Sequence, residues 1–166
     1  MTNFFVSTDS TCDLYANEIE KMGIGYLPLT ITIEENGETR FMQDKFQTYD
    51  EYVNFFEMLK NPALNIFTSK NNTEIHREYF EKLAEAGHRN IIHFTISYQL
   101  ANTRDNAVQA AEMVKEKYPD FNLVPIESHT KTVCQGMLVK MAVKLRDEGK
   151  TLQLSLIHIS EPTRRS

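Results

Sequence analysis

The chain has 166 residues, 41% of them hydrophobic and 25% charged, with a formal net charge of −5. That is the make-up of one ordinary folded domain, and it lacks the clustered Lys and Arg that a nucleic-acid backbone or an anionic membrane surface requires. No apolar run approaches the ~18 residues of a membrane span and the start of the chain is not a secretion signal, so no membrane insertion and a cytoplasmic location are expected. The two cysteines, Cys12 and Cys134, have the spacing of neither a disulfide framework nor a metal site. Both read as reduced structural thiols, and neither a metal nor a cofactor is expected.

In chain order, apolar runs of strand length fall at 4–6, 26–33, 64–67, 91–96 and 123–126. Several are apolar throughout rather than alternating, which suits a parallel sheet covered on both faces. Between them lie helical patterns. Residues 13–22 carry Leu14, Ile19 and Met22 before Gly23, and residues 49–59 carry Tyr52, Val53, Phe55, Phe56 and Leu59. Residues 73–86 close at Gly87, residues 103–118 show a small-residue face of Ala107, Ala110, Ala111 and Val114, and residues 133–148 close at Gly149. Asn36-Gly37 between Ile33 and Phe41 signals a hairpin. The expected fold is α/β, a mostly parallel sheet with helices on both faces, whose strand C-termini and helix N-termini gather along one edge where ligands bind.

The segment from Ser155, SLIHISEPTRRS, fits this pattern poorly and resembles sequencing-adapter read-through. It is expected to break any helix that Thr151 caps. On that reading residues 1–154 form the domain, residues 155–166 are a non-native tail, and the chain is the N-terminal part of something longer.

Polar clusters follow four of the apolar runs: Ser7 to Asp13, Thr68-Ser69-Lys70, Ser97-Tyr98-Gln99 with Asn102-Thr103, and Glu127-Ser128-His129-Thr130. Taken singly, Ser10, Thr73, Thr103 and Thr130 are explained as helix caps. Four hydroxyl-bearing strand ends converging on one sheet edge, beside free helix N-terminal N–H groups, also describe an anion site.

Thr8-Asp9-Ser10 with Asp13-Leu14, Pro28-Leu29, Thr68-Ser69, and Ser97, Leu100, Thr103 and Ala107 at their spacing resemble the DegV family over nearly the whole span to Thr151. The resemblance implies a bacterial lipid-binding protein that holds a long-chain fatty acid and in some members presents its carboxylate to a fatty-acid kinase. It implies binding without catalysis. It places the carboxylate-binding Thr of T-S-Q-P on Thr68. The family's second hydroxyl, the Ser of L-S-G-T, falls on Ala101 and the Gly after it on Asn102; T-S-Q-P itself reads Thr68-Ser69-Lys70-Asn71, and the first Gly of G-x-G falls on Cys134 with Gly136 kept. Asn102, Ser97 and Lys70 are the candidate substitutes for the missing donor. A hydrogen bond to a charged acceptor contributes on the order of 1.5–3 kcal/mol, whereas each buried methylene contributes roughly 0.8 kcal/mol, so head-group loss alters orientation more than retention. The expected binding residues are therefore Thr68, Ser69, Ser97, Asn102, Thr103, Asp9, Ser10 and Ser128. Phe46, Tyr52, Phe55, Phe56, Met58 and Phe67 are either an acyl tunnel or ordinary core.

The competing class is a small-molecule hydrolase or phosphatase using Asp9 and Ser10 at the strand-end edge. Its signatures are missing: no second carboxylate stands two residues after Asp9 as in a D-x-D phosphatase, and neither G-x-S-x-G nor a nucleotide-binding glycine loop occurs. Asp13, three residues after Ser10, reads instead as part of a capping box. His76, His88 and His93 read as packed or solvated, and His129, beside Ser128, as a binding group.

Overall fold

The computed structural model describes residues 4–130 and 132–160. Strands β1 (Phe5–Asp9), β2 (Gly25–Leu27), β6 (Asn90–Thr95) and β7 (Asn122–Glu127) form a wholly parallel sheet in the order β2-β1-β6-β7. Helices α1 (Ala16–Lys21), α5 (Val133–Asp147) and α6 (Leu152–Ser160) cover one face, where Val6, Ile92 and Phe94 pack with Ile19, Val139, Ala142 and Ile159. Helices α3 (Thr73–Glu85) and α4 (Thr103–Lys117) cover the other, where Ile91 and Leu123 pack with Phe80, Ala107, Ala110 and Val114. Because both faces are buried, neighbouring residues such as Ile91 and Ile92 enter opposite cores, which is why the run reads as unbroken apolar sequence.

The expected single sheet is corrected in one respect. Residues 26–33 are two strands, and the second, β3 (Thr30–Glu35), belongs with β4 (Glu38–Gln43) and β5 (Leu64–Ser69) to a separate antiparallel sheet in the order β4-β3-β5. Pro28 is the break: it has no N–H for a ladder, and the following Leu29 N–H donates to Ser10 Oγ at 3.0 Å instead of to a strand. The predicted hairpin joins β3 to β4, with Asn36 at φ 50° and Gly37 at φ 84°, both left-handed as the tight turn requires. Helix α2 (Tyr49–Met58) covers one face of this small sheet, where Ile31, Ile33 and Phe46 are buried with Tyr52, Phe55 and Met58 against them.

Two local expectations change. The first helix begins at Ala16 rather than near residue 13, because Ser10–Cys12 is a separate 3-10 turn and Asp13 takes φ 52°. Thr151 does not lose its helix at Ser155: its Oγ accepts from Leu154 N at 3.3 Å, and α6 runs to Ser160 with Ser155 and Ile159 buried. Leu152, Ser155, Leu156 and Ile159 share one face of that helix, a helical period that the polar flanks of the segment obscure. Residues 161–166 lie outside the described residues.

Candidate functional site

The polar strand ends do gather along one edge. At the end of β1, Asp9 is fully buried. Its Oδ1 accepts from Thr11 N at 3.1 Å, from the Thr11 hydroxyl, and from Gln135 Nε2 at 2.9 Å. Its Oδ2 makes no hydrogen bond of good geometry. Burial raises the Asp9 pKa from 3.8 to about 6, against the opposing hydrogen bonds of Thr11 and Gln135 and a weaker one from the backbone of Ile96. Ser10, also buried, accepts from Leu29 N. Asp13 and Asp44 stand nearby, both raised, first by burial and in Asp13 also by the charge of Asp44. This corner is acidic, with Asp9 Oδ1 and the Ser10 hydroxyl already bonded within it and Asp9 Oδ2 left without a partner.

Beyond β7, Ser128 is buried; its hydroxyl donates to the Thr130 carbonyl at 2.9 Å and lies 3.2 Å from Gln135 Oε1. Ser97 N–H donates to the Thr130 carbonyl at 3.2 Å, and Ser97 Oγ donates to Glu127 Oε1 at 3.3 Å. The same Glu127 oxygen accepts from Tyr98 N at 2.7 Å and lies 3.4 Å from His129 Nδ1. His129 at φ 52° and Thr132 at φ 59° hold the left-handed region, which costs of order 1–3 kcal/mol per residue and persists only where neighbours enforce it.

The end of β5 reaches this edge by a different route. Thr30 pairs with both Gln43 and Ser69, one residue after the Leu29 that is bound to Ser10. Past Lys70, the buried Asn71 donates to the Leu27 carbonyl at 3.5 Å and accepts from Asn106 Nδ2 of α4 at 3.0 Å. The stretch Thr68-Ser69-Lys70 is therefore strapped between the end of β2 and the first turns of α4, and all three residues are exposed. Asn102 is exposed at the N-terminus of α4 and makes no capping bond, while Thr103 beside it is buried. Ala101 N–H donates to the Ser97 carbonyl at 3.2 Å.

Of the residues expected at the site, Thr68, Ser69 and Asn102 thus face solvent, whereas Asp9, Ser10, Ser97, Thr103 and Ser128 are buried and build the edge from beneath. The capping explanation is corrected too. Asn72, not Thr73, caps α3 by accepting from Ile75 N at 2.9 Å, and the Ser10 hydroxyl is bound across to Leu29. Cys134 is exposed and Cys12 buried, so only the latter is a structural thiol. Gln135, which the sequence reading passed over, is fully buried and joins Thr8, Asp9, Thr11 and Ser128. An amide one turn into a helix that follows a hydroxyl-rich strand end was its only signal.

The aromatic set divides in favour of core. Phe46 is buried and Tyr52, Phe55 and Met58 pack on it, whereas Phe56 and Phe67 are exposed. An open groove of about 490 Å³ is lined by Tyr15, Tyr49, Tyr52, Val53, Phe56, Glu57 and Lys60, and contains none of the head-group residues named above.

A family profile described as "Uncharacterised protein, DegV family" matches residues 3–165. The chain belongs to the DegV family. A DegV domain-containing protein of Lactococcus lactis, YteA, is 29% identical over 162 residues, covering 95% of this chain and 53% of its own length. A stearic-acid-binding protein from Eubacterium ventriosum superposes with a TM-score of 0.76 at 26% identity, over 95% of this chain and 52% of that one. A Thermotoga maritima DegV relative, described as revealing a fatty-acid-binding function, shares the fold with a TM-score of 0.78 at 20% identity, over 96% of this chain and 55% of its own. The chain spans about half the length of these relatives. Among the described residues no helix is long and apolar enough to cross a membrane.

Proposed function

We propose that this DegV chain binds a long-chain fatty acid or similar anionic lipid, receiving the carboxylate at the exposed rim formed by Thr68, Ser69 and Lys70 beside the N-terminus of α4. The observation that carries this reading is the Asn71–Asn106 strap, 3.0 Å long, which holds that rim against the first turns of α4. There the Thr68 hydroxyl and Lys70 ammonium supply donors, the uncapped amides of α4 supply a partial positive charge, and Asn102 adds an amide next to Ala101, where the family's Ser is absent. The similarity to a stearic-acid-binding protein supports the ligand class.

The acidic corner at Asp9, Asp13 and Asp44 lies outside the head-group site, and Asp9, Ser10, Ser97, Thr103 and Ser128 act as its scaffold. The hydrolase alternative loses its chemistry here: Asp9 is enclosed, and the Ser10 hydroxyl is an acceptor for a backbone amide. The reading extends to handing the carboxylate to a fatty-acid kinase, which an acyl-phosphate assay with an added kinase tests. Mass spectrometry of lipid extracted from the protein at the full length of its relatives tests the ligand class. Stoichiometric fatty acid is expected; a protein that carries none and takes up no added stearate contradicts the proposal.

A further inference from the structure

Three separate elements meet on a single buried amide. Gln135, in the first turn of α5, has no exposed surface. Its Nε2 donates to Asp9 Oδ1 at 2.9 Å and to Thr8 Oγ1 at 3.3 Å, while its Oε1 lies 3.0 Å from Thr11 Oγ1 and 3.2 Å from Ser128 Oγ, two hydroxyls whose single protons it shares with Asp9 Oδ1 and the Thr130 carbonyl. Only the N–H end of the amide can meet the Asp9 carboxylate, so its orientation is fixed by chemistry. The turn at residues 128–130 is then joined to the end of β6 by Ser97 N–H to Thr130 O, and the start of α5 to the 3-10 turn by Thr132 N–H to Thr11 O at 2.9 Å. The left-handed His129 and Thr132 lie within this set of ties.

We propose that Gln135 is the positioning residue of the site: its amide locks the turn at residues 128–130 onto the ends of β1 and β6 and so sets the start of α4, through Ser97 and Ala101, against the Thr68 rim. The path is short. Thr130 holds Ser97, and the Ser97 carbonyl holds Ala101 immediately before Asn102. The inference rests on the lipid reading for its ligand but not for its geometry.

Replacing Gln135 by Met keeps the length and removes every hydrogen bond. Replacing it by Glu restores one donor and one acceptor when protonated, and sets two like charges against each other when ionised. Stearate affinity is measured for wild type, Gln135→Met and Gln135→Glu at about pH 5 and about pH 8, where a protonated or an ionised carboxyl is expected respectively, and each variant is divided by wild type at the same pH. That division removes what Asp9, Asp13, Asp44, Glu127, His129 and the ligand contribute in common. Gln135→Met is expected to weaken binding about tenfold at both pH values, the size of a lost head-group hydrogen bond. Gln135→Glu is expected to match wild type at the lower pH and to fall about tenfold at the higher. An unchanged affinity in folded Gln135→Met, or a Gln135→Glu ratio that is the same at both pH values, overturns the proposal. Should Gln135→Met fail to fold, the pH split of Gln135→Glu decides alone. A wild type that binds no stearate removes the lipid reading, and amide exchange then decides the geometry. Faster exchange at Ser97 and Thr132 in ligand-free Gln135→Glu at the higher pH than at the lower, relative to wild type, supports the positioning role; unchanged exchange overturns it.

Discussion

The sharpest consequence of the buried edge concerns Asp9. Its pKa rises from 3.8 to about 6, close to two units, because burial outweighs the donors on Oδ1. At about 1.36 kcal/mol per unit this makes the ionised form cost the folded state about 3 kcal/mol. The folded chain holds the Asp9 proton more tightly than the unfolded chain, so stability is fully present below pH 3.8 and falls as pH rises toward about 6. In Asp9→Asn the amide oxygen keeps the donors from Thr11 and Gln135, while the new NH₂ takes the place of Oδ2, which has no partner. That loss of about 1–3 kcal/mol does not depend on pH. Urea unfolding of both proteins at constant ionic strength, from about pH 4 to pH 7.5, isolates the ionisation through the difference between the curves. Wild type should lose about 2.5 kcal/mol relative to the variant over that range, the remainder of the ~3 kcal/mol being lost below about pH 4. A flat difference, or one that grows in favour of wild type with pH, refutes the claim that the carboxylate is enclosed and under-satisfied.

The buried histidines impose the opposite pH dependence. His76 and His93 are buried, with pKa values pulled down chiefly by desolvation, so they stay neutral in the folded chain and stability declines as pH falls below their unfolded value of about 6.5. His93→Phe, which keeps a ring against Phe80, should flatten that acid decline in a melting-temperature series; an unaltered slope would clear His93 of responsibility. A Cβ on Gly136 would stand 2.6 Å from the Cys12 carbonyl, so Gly136→Ala should cost about 1–3 kcal/mol and a lower urea midpoint. Ala101→Ser restores a hydroxyl at the start of α4 and should tighten stearate binding several-fold by titration; no gain would mean that the head group lies elsewhere.

The parallel sheet and its helices were legible because continuous apolar runs such as 91–96 and the small-residue face of α4 have simple physical causes: two buried faces, and close helix packing. The division into two sheets was less legible, since it turns on Pro28 and on the pairing of β5 with β3, a long-range choice that a short apolar run does not announce. Polar strand ends were harder to read. Ser10 and Ser128 look like ligand contacts in sequence, yet in the structure their hydroxyls bond to Leu29 N and the Thr130 carbonyl beneath the rim, because a hydroxyl at a strand end satisfies buried groups as readily as it meets a ligand. Gln135 was missed for the converse reason: one amide in an apolar helix carries no pattern, and its weight appears only when four partners converge on it.

The central claim is that the rim at Thr68 recognises a carboxylate. Its most direct test compares stearic acid with methyl stearate, which has the same tail and no charge, in wild type and Thr68→Val. Wild type should prefer the acid about tenfold or more, as one charge-assisted hydrogen bond implies. In Thr68→Val that preference should shrink several-fold while ester binding stays level. Equal binding of acid and ester by wild type, or an acid preference untouched by Thr68→Val, would contradict the account.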